Sequence, residues 1–176
     1  MNAPIFETAI VETPIPAASH LHAELAGAYF HDCWQTTVAP HRRTAMELYL
    51  ETVRQTPGWV NALMSLRNRV VALVGLKNLG SLGGLRPEKA AADYKPGDRA
   101  GIFKVLRVSD EEVILGDDDR HLRVQVSVCK LRHEGRDAVA VSTVVHLHGL
   151  LGRIYMIPVA PLHKLIVPAV LRRLRQ

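Results

Sequence analysis

The stretch from Leu122 to Leu147, LRVQVSVCKLRHEGRDAVAVSTVVHL, decides the fold. Leu122, Val124, Val126 and Val128 alternate with Arg123, Gln125 and Ser127, the two-residue period of a half-buried strand. After Glu134-Gly135, a second run sets Val139, Val141, Thr143, Val145 and Leu147 on one parity. A two-residue turn at Glu134-Gly135 pairs His133 with Arg136. Carried back, that register sets Leu122 opposite Leu147, Val124 opposite Val145, Val126 opposite Thr143 and Val128 opposite Val141. The other face then carries His121 beside His148, Arg123 beside His146 and Ser127 beside Ser142. A slip of one residue would oppose polar to apolar side chains along the whole hairpin, so the register is well specified.

Upstream, Ile102–Val108 and Glu112–Gly116 read as strands joined by a tight Ser109-Asp110-Glu111 turn. Together the four strands make an antiparallel meander with one apolar face. Its natural cover is the apolar segment from Leu151 to Leu174, where Pro158, Pro161 and Pro168 predict a kink or a late helix start. The first half of the chain reads as mainly helical. Ile5–Val11 and Cys33–Val38 read as short strands, and Ser19 caps a helix running to about Tyr29. Thr44 and Glu47 form a capping-box pattern for a helix that stops before Pro57. From Trp59 to Lys77, apolar residues recur at steps of three and four, the period of an amphipathic helix. Gly80, Gly83 and Gly84 then open a loop reaching about Arg99. The expected fold class is α+β, one domain over residues 1–176.

Composition narrows the function classes. With 48% hydrophobic and 22% charged residues, the 176-residue chain is not a disordered segment. Aromatics at 5% undersupply a base-stacking platform. Of the net charge of +5, Arg172, Arg173 and Arg175 contribute three, which leaves no basic face for nucleic acid. The GSLGGL segment follows a helix and lacks the Lys-Ser/Thr ending of a phosphate loop. Cys33 and Cys129 stand far apart without metal spacing, and read as free thiols. Glu7 and Glu12 without an early Lys or Arg are not the start of a secretory signal, and a cytoplasmic location is the expectation. Arg153, His163, Lys164 and three prolines interrupt the apolar C-terminal stretch and argue against a membrane-spanning helix.

Three segments, read together, carry a resemblance. They are WVNALMSLRNRVVALVGLK at Trp59–Lys77, LGDDDRHLRVQVSV at Leu115–Val128, and VHLHGLLGRIYMIPVAPLHKLIVPAVLRRL at Val145–Leu174. They resemble a bacterial family, the domain of unknown function 2867, over about residues 57 to 174. That family is similar to the START and polyketide-cyclase-like helix-grip superfamily. The resemblance implies a curved antiparallel sheet packed around a long C-terminal helix, with an internal cavity and with extra helices in the N-terminal half. It implies no catalytic residues. Arg123 stands where the family tends to carry Asp after the His-Leu pair.

A cavity is therefore where functional residues are sought, and five are candidates. Thr143 is the one polar residue in its apolar stripe, placed to fix the polar end of a ligand or to bond the backbone. Arg67 follows the apolar position Leu66 and is suited to an acidic ligand or to Asp117 or Asp119. Trp59 opens its helix as core or as cavity wall. Arg153, Tyr155 and His163 carry the family-like GRxY…PxH pattern, with Tyr155 a hydrogen-bond donor and His163 a general base in an enzymatic reading. Asp117, Asp118 and Asp119 read as a hydrated turn, and His121, His146 and His148 as an exposed polar face. No metal site and no cofactor are expected.

The leading expectation is a binding module for a small, largely apolar molecule held between sheet and C-terminal helix. A cofactor-independent cyclase or isomerase using Tyr155, His163 or Thr143 is the alternative. A third reading has the C-terminal segment meeting a partner or membrane surface through Arg172, Arg173 and Arg175. Those arginines equally suit a helix C-terminus, and that simpler account is preferred over membrane contact.

Overall fold

The computed structural model describes residues 9–39, 42–73, 89–133 and 135–175. The strands are β1 (Val11–Glu12), β2 (Phe30–Thr37), β3 (Arg99–Ala100), β4 (Phe103–Val108), β5 (Glu112–Asp118), β6 (Leu122–His133) and β7 (Arg136–Leu147). They form one open antiparallel sheet in the order β1-β2-β7-β6-β5-β4-β3. The helices are α1 (Ala45–Arg54), α2 (Gly58–Leu73) and α3 (Leu150–Leu171), with 3-10 turns at His20–Leu25, Ala91–Asp93 and Arg172–Arg175. The fold is α+β, and its arrangement is consistent with a helix grip.

The central hairpin has the expected register. Leu122 pairs with Leu147, Val124 with Val145, Val126 with Thr143, Val128 with Val141 and His133 with Arg136. Gly135 sits at φ +78°, which a residue with a Cβ rarely adopts, so the turn demands glycine there. Glu134 lies outside the described residues. At the β4–β5 corner, Ser109 Oγ donates to the Glu112 carbonyl and accepts from the Glu112 N–H, both at 3.0 Å. This closes the turn with side-chain bonds that mimic the backbone.

The meander continues beyond the four strands. β2 pairs with β7 and in turn holds β1, while β3 extends the far edge beside β4. Alternation fixes which side chains face inward. Phe30, Asp32, Trp34 and Thr36 of β2 stand opposite Val145, Thr143, Val141 and Val139 of β7, on the concave face. α1 plugs one end of that face. Thr44 Oγ1 accepts from the Glu47 N–H, and Glu47 Oε2 accepts from the Thr44 N–H. This capping box aims Met46, Tyr49 and Val53 at Val105, Val113, Val128 and Leu171. Side chains of this size contribute about 1.5–3 kcal/mol each when fully buried.

Four expectations change. α3 starts at Leu150 and continues through all three prolines, so the late start does not occur. Pro158 and Pro161 are exposed on its outer side, where the carbonyls that lose their helical donors meet water instead of core. The outer face of the sheet is not bare. Ile15, Leu21 and Cys33 pack there against Ala140 and Val144, so the N-terminal segment buries a second, smaller core. The helix expected from Ser19 to about Tyr29 is instead the 3-10 turn His20–Leu25, with Ser19 Oγ accepting from the Leu21 N–H. The stretch expected to be loop up to Arg99 contains the Ala91–Asp93 turn and the start of β3. The ends of two further expectations, most of the strand Ile5–Val11 and the helix beyond residue 73, lie outside the described residues, as does the Gly80–Gly84 loop.

Candidate functional site

Between α1's plug and α3, the concave face is not filled by side chains. Two adjoining recesses of about 230 and 140 Å³ lie there, walled by β6, β7, α2 and α3. Met64, Phe103, Val126 and Val159 give both an apolar lining. Arg67, Thr143, Tyr155 and His163 also line both, so the structure brings four of the five candidates together. Trp59 is not among them. It is 45% exposed and lines a separate surface groove with Trp34, Lys164, Leu165 and Arg172.

The first polar group is built across two strands and a helix. Asp32 on β2 pairs in register with Thr143 on β7, and α3 lays His163 over both. The Asp32 side chain is wholly buried, and its Oδ2 accepts from Trp34 Nε1 at 3.2 Å and lies 2.7 Å from His163 Nδ1. A carboxylate oxygen only accepts, so Nδ1 carries a proton toward it, and Nε2 is the ring nitrogen that faces away from Asp32. Thr143 Oγ1 stands 3.4 Å from that Nε2, at the edge of hydrogen bonding. Phe30 packs edge-on against the imidazole at 5.6 Å and restricts its rotation. Asp32 Oδ1 is buried with no hydrogen-bond partner among the described residues.

The second group joins α2 to α3 and the β5–β6 corner. Arg67 Nε donates to Tyr155 Oη at 3.2 Å, and its guanidinium also lies 5.6 Å from the Tyr155 ring centre. His121 meets the same ring edge-on at 5.6 Å, with its Nδ1 against Asp119 Oδ1. Burial pushes the His121 pKa below its ordinary 6.5, with Arg67 acting in the same direction and Asp119 opposing. Gly152 makes this corner possible. A Cβ there would lie 2.3 Å from the His121 carbonyl oxygen, so only glycine lets α3 approach so closely.

His121 is thus not on the outer face. Strand alternation starts at Leu122, and Asp119 Oδ1 accepts from the backbone N–H groups of His121 and Leu122 in a tight turn. That turn swings the imidazole inward to 3% exposure. His148 faces outward to Asp118 at 2.8 Å, and His146 approaches the Ala26 carbonyl at 3.2 Å. The three aspartates divide in the same way, with Asp117 lining a recess, Asp118 outside and Asp119 in the turn. Among the described residues no three His, Cys, Asp or Glu side chains gather as a metal site. Arg153 is exposed on α3 and does not line either recess.

A family model, the protein of unknown function DUF2867, matches residues 24–170. The chain belongs to the DUF2867 family. Comparison with curated proteins and with solved structures gave no match. The DUF2867 match takes in β2, α2 and α3, and so contains every residue of both polar groups. Within this DUF2867 chain, Asp32 is the member that the sequence did not single out. The strand read from Cys33 began one residue too late to include it. Its signal was parity, since Phe30, Asp32 and Trp34 fall on one face and place a carboxylate between two aromatic neighbours.

Proposed function

We propose that this DUF2867 protein binds a small, largely apolar molecule between the sheet and α3. The observation that carries the reading is a largely apolar pair of recesses whose polar lining gathers in two places, Arg67, Tyr155, Asp117, Asp119 and His121 in one, toward the β5–β6 corner, and Thr143 and His163 in the other. Such a lining favours a ligand with an apolar body and one or two polar ends. Kinship with the START and polyketide-cyclase-like helix-grip proteins belongs to this reading, as do a bacterial origin and a cytoplasmic location. Neither a cofactor nor a metal is required for it.

Native mass spectrometry of the intact protein, before and after incubation with a lipid extract, tests binding. A stoichiometric mass increase is expected, and Val126→Phe, which projects a ring into both recesses, should abolish it without lowering the melting temperature. A wild-type spectrum with only the bare chain mass after incubation would sink the proposal.

The Asp32–His163 pair favours a second reading, a cofactor-independent isomerase or cyclase. His163 Nε2 would take a proton from the bound molecule while Asp32 holds Nδ1–H, and the imidazolium would return it at another atom of the same molecule. Tyr155 would donate to the oxygen on which charge develops. Solvent deuterium exchange into the captured ligand, lost in His163→Gln, is the expected signature. Equal exchange in wild type and variant would remove this reading while leaving binding intact.

A further inference from the structure

α3 has two apolar sides, and among the described residues only one of them is covered. Met156, Val159, Leu162 and Ile166 turn toward the sheet and the recesses. On the other side, Leu150, Ile154, Ile157, Pro161 and Leu165 recur at steps of four and three, and so form one stripe. Leu150 and Ile157 are 72% and 70% exposed, and Ile154 and Leu165 are more than half exposed. The 22-residue helix is about 33 Å long, and the stripe from Leu150 to Leu165 runs along about 22 Å of it. By length and composition it is the one helix among the described residues apolar enough to cross a membrane. It lies along the sheet instead, held there by the Gly152 contact and the His163–Asp32 bond.

Charge selects what covers the stripe. No Asp or Glu occurs after Asp137, or between Gln55 and Pro87, which includes the whole of α2. Arg153, Lys164 and Arg172 flank the stripe and are exposed, with Arg173 beyond them. Glu12 accepts from Lys164 at 3.2 Å at the edge of this group. Next to Lys164 and Arg172, the groove lined by Trp59 adds an exposed indole, a side chain suited to a lipid–water boundary. A second copy fits poorly, because a two-fold pairing of α3 stripes would bring the flanking cations of both copies together. The prolines add a further constraint. Pro158 and Pro161 remove the helical donors for the carbonyls of Ile154 and Ile157 on this side, and those oxygens need hydration. A headgroup layer supplies water, whereas a dry protein interface would not.

We infer that the outer face of α3 docks on an anionic membrane surface, with its apolar stripe at the acyl boundary and Arg153, Lys164, Arg172 and Arg173 among the headgroups. The helix lies in the interface plane and does not span. Docking brings the wall of the recess against the lipid, although the inference does not depend on what the recess holds.

Vesicle flotation of the full-length protein tests it, with phosphatidylcholine vesicles set against vesicles containing phosphatidylglycerol. The protein is expected to float with the anionic vesicles, and to lose that binding in high salt. Arg172→Gln with Arg173→Gln should weaken partitioning roughly 20–30-fold, from about a kilocalorie per basic residue. Ile154→Ser with Ile157→Ser should abolish it, and an unchanged melting temperature confirms that both variants fold, since all four positions are exposed. No flotation with anionic vesicles, or flotation that both variants leave unchanged, overturns the inference. So does light scattering that shows a dimer which Ile154→Ser with Ile157→Ser dissociates, because the stripe then serves a second copy.

Discussion

Glu112 is a buried carboxylate on the outer face of the sheet, within bonding reach of four donors. Ser19 Oγ and Ser127 Oγ donate at 2.5 and 2.6 Å, His20 N–H donates at 3.1 Å, and His20 Nδ1 lies at 2.7 Å. Burial alone would raise its pKa, but the bonds from Ser127, Ser19 and His20 outweigh it and hold the carboxyl below its ordinary 4.5. The unfolded chain therefore binds this proton more readily. The stabilisation is complete above the unfolded value and is lost as pH falls through the folded one. Glu112→Gln should cost about 1–3 kcal/mol at neutral pH, and the gap from wild type should close in acid. Urea denaturation across that range checks it, and a gap independent of pH would contradict the account. His121 has the opposite charge but the same sense. Its pKa is lowered, so stability falls as pH drops below about 6.5 toward the folded value. His121→Phe keeps a ring beside Tyr155 and should flatten the melting temperature between about pH 7.5 and pH 5.5. Cys129 is buried beside Glu112, and its thiol is pushed up to about 12 by burial and then by that carboxylate. It should resist alkylation in the folded protein.

Among the elements, the hairpin of β6 and β7 was fully legible, because alternation and a glycine turn fix register without reference to the rest of the chain. α1 was legible for the same reason, since its capping box is local. α3 was only half legible. Its apolar sequence announced a cover for the sheet, but its start depended on Gly152 fitting against the β6 corner. Gly152→Ala forces a Cβ into the His121 carbonyl and must displace α3 or the corner. An overpacked contact of this kind costs about 1–3 kcal/mol. The expected result is a lower melting temperature with loss of the Tyr155–His121 contact, seen as altered His121 imidazole shifts in NMR. Unchanged shifts would show that the close approach is not needed.

For the whole molecule, the N-terminal segment crosses the outer face and closes a core that the hairpin alone leaves open. Leu21 is completely buried there against the sheet. Leu21→Ala should cost about 2–5 kcal/mol, read in one cooperative urea transition; a loss under about 1 kcal/mol would mean that the segment is not part of the folding unit. The sequence by itself determined the α+β class, the hairpin register, the β4–β5 turn and the α1 cap, because each rests on neighbours in the chain or on a period of two or four residues. The tertiary structure alone decided that Asp32, 131 positions from His163, would be its partner. It also decided that His121 would turn inward, and that one side of α3 would be left uncovered by the described residues. These depend on how β2 adds to β7 and how closely α3 meets the β5–β6 corner. Such distances are set by packing between remote segments, which no local pattern encodes.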